Sequence, residues 1–463
     1  MINKSDLVKI HDHLWEVPKS YRGDMRVPAR VYASEAMLDS ILRDRSIHQL
    51  INVATLPGIR KYAIAMPDVH EGYGFPIGGV AAVDATDGAV SPGGIGYDIN
   101  CGVRLLRSTK TFDEVQPLLQ KLAHSIAREV PSGVGRGGKL RLNKSDLDLV
   151  LRDGAGRAVE MGYGEAEDLK HIESQGRLDG AEPELVSQAA RERGHDQLGT
   201  IGSGNHFVEV DRVDEVYDVD EAARLGIHRG GIVIQIHTGS RGLGHQVATD
   251  SLRVMTKTMA KYGIEIPDRE LACAPLSSSE GKRYLAAMAA AANFAFANRQ
   301  LITSGIRKAW LHELSDDAIE IVYDVAHNVA KVERYPDVGE VVVHRKGATR
   351  AFPGQPVLIP GSMGTASYLL LGQEGAMQQT FGSSCHGAGR TMSRTKARHE
   401  INAEELKGRL KKLGIIAEAG SSKGLVEEAP EAYKDIDAVV DVVAKAGIAK
   451  KIARFRPVAV IKG

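Results

Sequence analysis

Over the first hundred residues, short apolar runs alternate with turn-rich polar stretches, which predicts strands rather than helices. Segments 26–32 and 79–83 set β-branched and small apolar residues between turn formers, and 101–107 follows a glycine turn as another strand. From about 112 to 200, charged residues and helix formers dominate, interrupted by the glycine-rich stretch 131–138. Gly231-Ile-Val-Ile-Gln-Ile-His237 is an almost continuous apolar run and predicts a buried strand that ends on a histidine. The alanine-rich stretch 280–301 predicts a helix. A second helix is expected over 319–332, carrying His327 with Asp324 nearby, and amphipathic stretches at 403–413 and 435–452 close the chain. Neither a repeat nor a low-complexity linker divides the sequence. The chemically suggestive residues run from 98 to 386 and must converge, so we expect an α+β fold built as a single large domain over 1–463.

Composition narrows the class. With 43% hydrophobic and 25% charged residues the chain reads as globular, and its 50 glycines exceed the roughly 7% of average usage. A formal net charge of zero leaves no global attraction to nucleic acid, so any such surface must be a local patch. Three cysteines, Cys101, Cys273 and Cys385, cannot form a disulfide framework, and the expectation is a reducing cytoplasm. No secretory leader is read at Met1. No apolar run approaches the ~20 residues of a membrane span, so no membrane partner is expected.

The candidate chemistry starts at Asp98-Ile-Asn-Cys101, just after Ser91-Pro-Gly-Gly-Ile-Gly-Tyr97. An isolated D-x-x-C is more often an N-capping Asp beside a buried Cys than half of a metal site. The glycine turn shifts the balance, because it lets backbone approach an ion, and a thiolate can bridge two cations. In Gly202-Ser-Gly-Asn-His-Phe-Val-Glu209, a strand throughout would put His206 and Glu209 on opposite faces. A turn followed by a strand would instead leave Asn205 and His206 at the turn. His237 stands at the end of its apolar strand, four residues before Arg241, whose planar fork suits a phosphate. His327, taken alone on a helix, is more often a core or surface residue than a ligand.

Cys385-His-Gly-Ala-Gly-Arg390 differs in kind. An imidazole nitrogen can attack phosphorus to give a phosphoramidate, and Arg390 and Arg394 add fixed positive charge. Pro360-Gly-Ser-Met-Gly-Thr-Ala-Ser367 offers hydroxyls and bare amides for a phosphate or base, and Arg345, Lys346, Arg350, Lys396 and Arg398 form a basic neighbourhood. Two matches fail on inspection. Gly133-Val-Gly-Arg-Gly-Gly-Lys139 has Leu140 where a P-loop needs Ser or Thr, and we read it as a basic loop. The K-x-D-G lysine nucleophile is missing, Arg177-Leu-Asp-Gly180 being the nearest approach.

Together, these motifs resemble the RtcB-type RNA ligase family over most of the chain, from Met66-Pro-Asp-Val-His70 to Val460-Ile-Lys-Gly463. The resemblance implies a central dinuclear cleft holding two manganese ions on Asp98, a bridging Cys101, His206, His237 and His327. It implies GTP as cosubstrate and His386 as the guanylylated residue. Nucleotide contacts would come from Asn205, His206, Phe207, Val208, Glu209, His327, Asn328, Pro360, Gly361, Ser362, Met363, Ser367, Gly387, Ala388, Gly389, Tyr433 and Lys462, with Arg241 at the RNA phosphate. The implied reaction joins RNA 2′,3′-cyclic phosphate or 3′-phosphate ends to 5′-hydroxyl ends, in tRNA splicing or RNA repair, with archease as a conceivable activator and a monomer as the default state. Glu71 replaces the glutamine expected after His70 and puts only local substrate contacts in question. Residue type alone suits zinc as well as manganese. The alternative is a dinuclear phosphoesterase that hydrolyses cyclic phosphate ends without sealing, which has no need of His386.

Overall fold

Two sheets meet at a single residue, His327. The strand Ile319–Ala326 belongs to one sheet and the strand Asn328–Tyr335 to the other, so the chain crosses between them at that histidine. The computed structural model describes residues 2–133 and 137–463; the centre of the 131–138 loop lies outside the described residues.

The first sheet has seven strands in the spatial order Val8–His11, Leu14–Val17, Ala29–Tyr32, Ile59–His70, Ile77–Asp84, Gly339–Lys346, Asn328–Tyr335. The second runs Ile319–Ala326, Gly102–Thr111, Gly231–Thr238, Phe207–Val216, Ala449–Lys462, Ser367–Gly372, Pro356–Ile359, with Ile416–Ala419 added in parallel on Ala449–Lys462. In this second sheet the first five strands alternate in direction. Alternation puts the starts of Gly102–Thr111 and Phe207–Val216 at the same end as the finishes of Ile319–Ala326, Gly231–Thr238 and Ala449–Lys462. That shared end is where Cys101, His206, His237, His327 and Lys462 converge.

The helix expected over 319–332 is therefore two strands. Ile319-Glu-Ile-Val-Tyr-Asp-Val325 is rich in β-branched and aromatic residues, and pairing with Gly102–Thr111 satisfies its backbone. The amphipathic stretch 435–452 likewise divides: Ile436–Lys445 is helical, Gly447 turns the chain at φ 70°, and a strand begins at Ala449. The helix seen at 280–301 runs further, from Ser279 to Leu314. Its alanines let it lie close against neighbouring elements, yet it also buries Asn293, Asn298, Arg299, Gln300 and Thr303 completely. Among the described residues no helix is long and apolar enough to cross a membrane.

Candidate metal centre and nucleotide cleft

Asp98 and Cys101 sit on a tight turn whose third residue, Asn100, takes φ 53°. That strained conformation is held from below by the long helix. The Asn100 side chain donates to the Ala292 carbonyl at 2.7 Å, and Arg299 donates to the Asn100 carbonyl and to the Thr238 carbonyl, both at 2.9 Å. Arg299 is in turn fixed by both oxygens of Asp324, which also accepts from Arg104; all three side chains are fully buried. Asn298 donates to the Gly239 and Thr200 carbonyls at 3.1 Å. One face of a helix thus pins the loops that carry Asp98, His237 and the segment before His206. A Cβ at 239 would stand 2.5 Å from the Asp98 carboxylate, so any side chain there would push that donor out of place.

Five donor side chains meet above this support. Cys101 Sγ lies 3.4 Å from His206 Nε2 and 3.4 Å from His237 Nε2; His206 Nε2 is 2.8 Å from Asp98 Oδ2, and His237 Nε2 is 3.2 Å from His327 Nε2. They fall into two sets able to hold an ion, Asp98–Cys101–His206 and Cys101–His237–His327, with donor atoms within 4.8 Å of one another and Cys101 common to both. Burial, reinforced by the neighbouring cations, pushes His237 and His327 well below the usual histidine range, so both rings are neutral. Neutral imidazoles can each turn an Nε2 lone pair toward a cation, and here two of them converge beside a thiol. Burial and then Asp98 push the Cys101 thiol well up, so the chain by itself does not ionise it. Asp98 is raised by burial, but the nearby His206 and a hydrogen bond from Cys101 outweigh this and hold it low. The donor set fits a metal: soft sulfur, imidazole and one ready carboxylate.

His386 is the next ring along, with its centroid 4.8 Å from that of His327. Its Nδ1 and its backbone N–H both engage Asp68 Oδ2, at 2.6 and 3.1 Å. A carboxylate accepts only, so Nδ1 carries a proton, and in the neutral ring the lone pair falls on Nε2. Asp68 is fully buried, at the inner end of the strand Ile59–His70. Its role was not read from the sequence; the available signal was a carboxylate inside the apolar run Ala63-Ile-Ala-Met-Pro-Asp68-Val. At φ 77°, Gly389 packs directly on the Asp68 backbone, where no Cβ fits.

Both features open into one cleft of about 870 Å³. Asn205, Phe207, His237, His327, Asn328, Pro360, Gly361, Ser362, Met363, His386, Gly387, Ala388, Gly389, Tyr433 and Lys462 line it with Asp98 and Cys101. The turn-then-strand alternative holds for 202–209, since the strand starts at Phe207. His206 is buried behind the lining. The Val208 side chain points into the apolar core with Ile234 and Ile236 and not into the cleft. Glu209 is buried, and burial with Asp211 beside it raises its carboxyl well above the usual range, with Lys462 opposing. Ser367 accepts from the Gly361 amide at 3.0 Å, shaping the 360–363 turn. Asn328 is a brace as well as a wall: it donates to the Asp98 carbonyl and accepts from the Gly347 amide, at 3.0 and 2.8 Å. Arg241 starts the helix Arg241–Thr258 at φ 55° and donates to Thr200 Oγ1 and the Gly133 carbonyl; among the described residues no carboxylate pairs with it.

The basic neighbourhood is less free than its sequence suggests. Arg345 is fully buried against Glu333 and does not line the cleft, Arg350 pairs with Glu173, and Arg398 pairs with Glu427. Lys396 lies 3.8 Å from Glu400 on the surface. Arg390 and Arg394 do border the cleft, and both share Glu428, which Tyr433 also reaches.

A family model described as tRNA-splicing ligase RtcB matches residues 49–463. The tRNA-splicing ligase RtcB of Thermococcus kodakarensis is 54% identical over a 477-residue alignment covering 99% of each chain. That of Archaeoglobus fulgidus is 53% identical over the same span and coverage. The RNA-splicing ligase RtcB of Mycobacterium bovis is 49% identical over 434 residues, covering 90% of this chain and 100% of its own.

Proposed function

The chain belongs to the tRNA-splicing ligase RtcB family, and from that premise we propose that it is an RNA ligase that seals 3′-phosphate or 2′,3′-cyclic phosphate ends to 5′-hydroxyl ends through a guanylylated His386, with residues 1–463 acting as one catalytic unit. The observation that carries this reading is the contact of His386 Nδ1 with buried Asp68 beside a donor cluster centred on Cys101.

In this reading Asp68 holds the imidazole proton on Nδ1, so Nε2 attacks the α-phosphorus of GTP. An N–P bond forms and the bond to pyrophosphate breaks. Glu209, Tyr433, Lys462 and the 360–363 turn hold the nucleotide, and Arg241 grips the RNA phosphate. The RNA 3′-phosphate then takes GMP from His386, and the 5′-hydroxyl displaces GMP to close the phosphodiester. Two manganese ions bound by Asp98, Cys101, His206, His237 and His327 would supply neutralising charge for the phosphoryl oxygens. A hydrolase that cleaved cyclic phosphates without sealing would have no use for the Asp68–His386 pair.

The test is a covalent adduct. With manganese and GTP labelled at the α-phosphate, the protein should acquire an acid-labile label that His386→Ala abolishes. Asp68→Asn should slow labelling by roughly 10²- to 10⁴-fold, because the amide no longer fixes the tautomer. A label that survives His386→Ala overturns the proposal.

A further inference from the structure

Three rings stand in a row at the rim of the cleft. Tyr73 meets Tyr97 edge-on, with centroids 5.5 Å apart and planes at 63°; Tyr97 stacks on His245 at 4.8 Å and 25°. Tyr73 and Tyr97 both line the cleft, and Tyr97 immediately precedes the donor Asp98. His245 lies on the helix that begins at Arg241, one turn further along. None of the three takes part in the Arg390–Glu428–Tyr433 network, so they are separate from the nucleotide contacts.

Packing explains only part of this. Tyr97 rests against the main apolar core, but Tyr73 belongs to no core cluster and is 39% exposed. The backbone that presents Tyr73 is nonetheless fixed. Lys346 Nζ donates to the Tyr73 and Phe75 carbonyls at 2.8 and 2.9 Å, and the Gly74 amide donates to Glu270 at 2.9 Å. An exposed ring on a fixed backbone at the edge of a cleft is an arrangement by which proteins stack unpaired bases. The rim beyond it carries Asp44, which accepts from the Ser46 and Glu71 amides, and Glu71, 3.9 Å from Arg45, so that stretch suits the base of a nucleotide better than its phosphate.

We propose that Tyr73, supported by Tyr97 and His245, is a stacking platform for the nucleobase of an RNA end whose phosphate lies at the Asp98–Cys101 donors. The platform rests on the ligase reading above. Both RNA ends present a base of the same chemistry, and the experiment separates them.

The test measures affinity, by fluorescence anisotropy, for three RNAs: one intact, one abasic at the 3′-phosphate nucleotide and one abasic at the 5′-hydroxyl nucleotide. Tyr73→Ala should weaken binding of the intact RNA about ten-fold, Tyr73→Phe should restore it, and GTP labelling of His386 should be unchanged in both. On the abasic RNA that lacks the stacked base, native protein and Tyr73→Ala should bind alike, which identifies the end. His245→Ala should give a smaller loss with the same dependence on the base. Equal binding of intact RNA by native protein and Tyr73→Ala overturns the platform, as does a Tyr73→Ala loss that persists on both abasic RNAs. Failure of His386 to label in the native protein sinks the ligase reading instead, and the binding comparison still decides the platform.

Discussion

The two sides of the cleft solve opposite electrostatic problems. On one side, Cys101, His237 and His327 are buried with lone pairs turned inward, and burial keeps all three uncharged. On the other, Arg390 donates to Glu428 at 3.1 Å and to the Tyr433 hydroxyl at 3.0 Å, and burial lowers Lys462 although Glu428 and Glu209 beside it oppose the shift. The Arg390–Glu428 side carries its own counter-charges. Among the described residues the Cys101–His237–His327 set is made of uncharged donors, and its geometry suits a cation. Preorganisation here means leaving one charge out and balancing the rest.

Removing the atom common to both donor sets should break this contrast most severely. Cys101→Ala takes one ligand from each set at once. We expect sealing and His386 labelling to fall by on the order of 10³-fold or more, reflecting several kcal/mol of lost charge neutralisation. Equilibrium dialysis against manganese should show the bound metal falling in parallel. In the native protein, metal at a hundredfold excess over its dissociation constant should add about 2.7 kcal/mol to stability, and the variant should lose most of that gain. Sealing retained by Cys101→Ala would dissolve the shared-donor assignment.

Breaking the balanced side should look different. Glu428 is the carboxylate that Arg390, Arg394 and Tyr433 share. In Glu428→Gln, Arg390 is left buried without its counter-charge, which costs about 3 kcal/mol of stability. GTP affinity should fall while manganese binding stays as it was. Urea unfolding and calorimetry read the two effects separately, and a loss of metal binding here would show that the two sides are not independent.

What the sequence made legible follows the same division. Asp98, Cys101 and His237 announced themselves because glycine turns and an apolar strand end gave each a local signature. His327 did not, because its meaning lies in the crossing between two sheets, a fact of strand order that no local window carries. The stretch 319–332 differs from its expected helix because its β-branched and aromatic residues favour a strand, which pairing with Gly102–Thr111 completes. Asp68, Asn298 and Arg299 were invisible as site residues, since each acts through a hydrogen bond spanning 59 to 318 positions of sequence. The expected nucleotide contacts were legible chiefly through family resemblance; of these the Val208 side chain turns into the apolar core, and His206, Glu209 and Ser367 are buried outside the cleft lining.

The strand Phe207–Val216 repeats the contrast on a smaller scale. Glu209 has Lys462 nearby, whereas Asp211 has only the Gln235 amide at 2.6 Å. Burial raises Asp211 to about 7. An unfolded Asp titrates near 4, so between about pH 4 and 7 the native state keeps a proton the unfolded state has released. The stability from this group is full below pH 4 and is lost as pH rises through 7. Asp211→Asn should flatten that decline and be more stable than the native protein at pH 8 by on the order of 1 kcal/mol. Melting at pH 5 and pH 8 measures the difference, and an unchanged slope would place the proton elsewhere.

The smallest effect belongs to a residue whose sequence position looks most persuasive. Lys396 lies in the run Arg394-Thr-Lys-Ala-Arg398, close to His386, and would be an obvious phosphate ligand by charge alone. Its side chain is 57% exposed, it stands 3.8 Å from Glu400 one turn along the same helix, and it does not line the cleft. Arg390, at 15% exposure, is held by Glu428 and borders the cleft. Water screens the exposed pair, so Lys396→Ala should cost less than about 0.5 kcal/mol in stability. Its effect on sealing at moderate salt should stay within roughly two-fold, because an exposed charge that does not line the cleft acts on the reacting phosphate only through screening water and salt. A ten-fold loss of sealing in Lys396→Ala would mean that RNA leaves the cleft across this helix, and the boundary of the balanced side would have to be extended to include it.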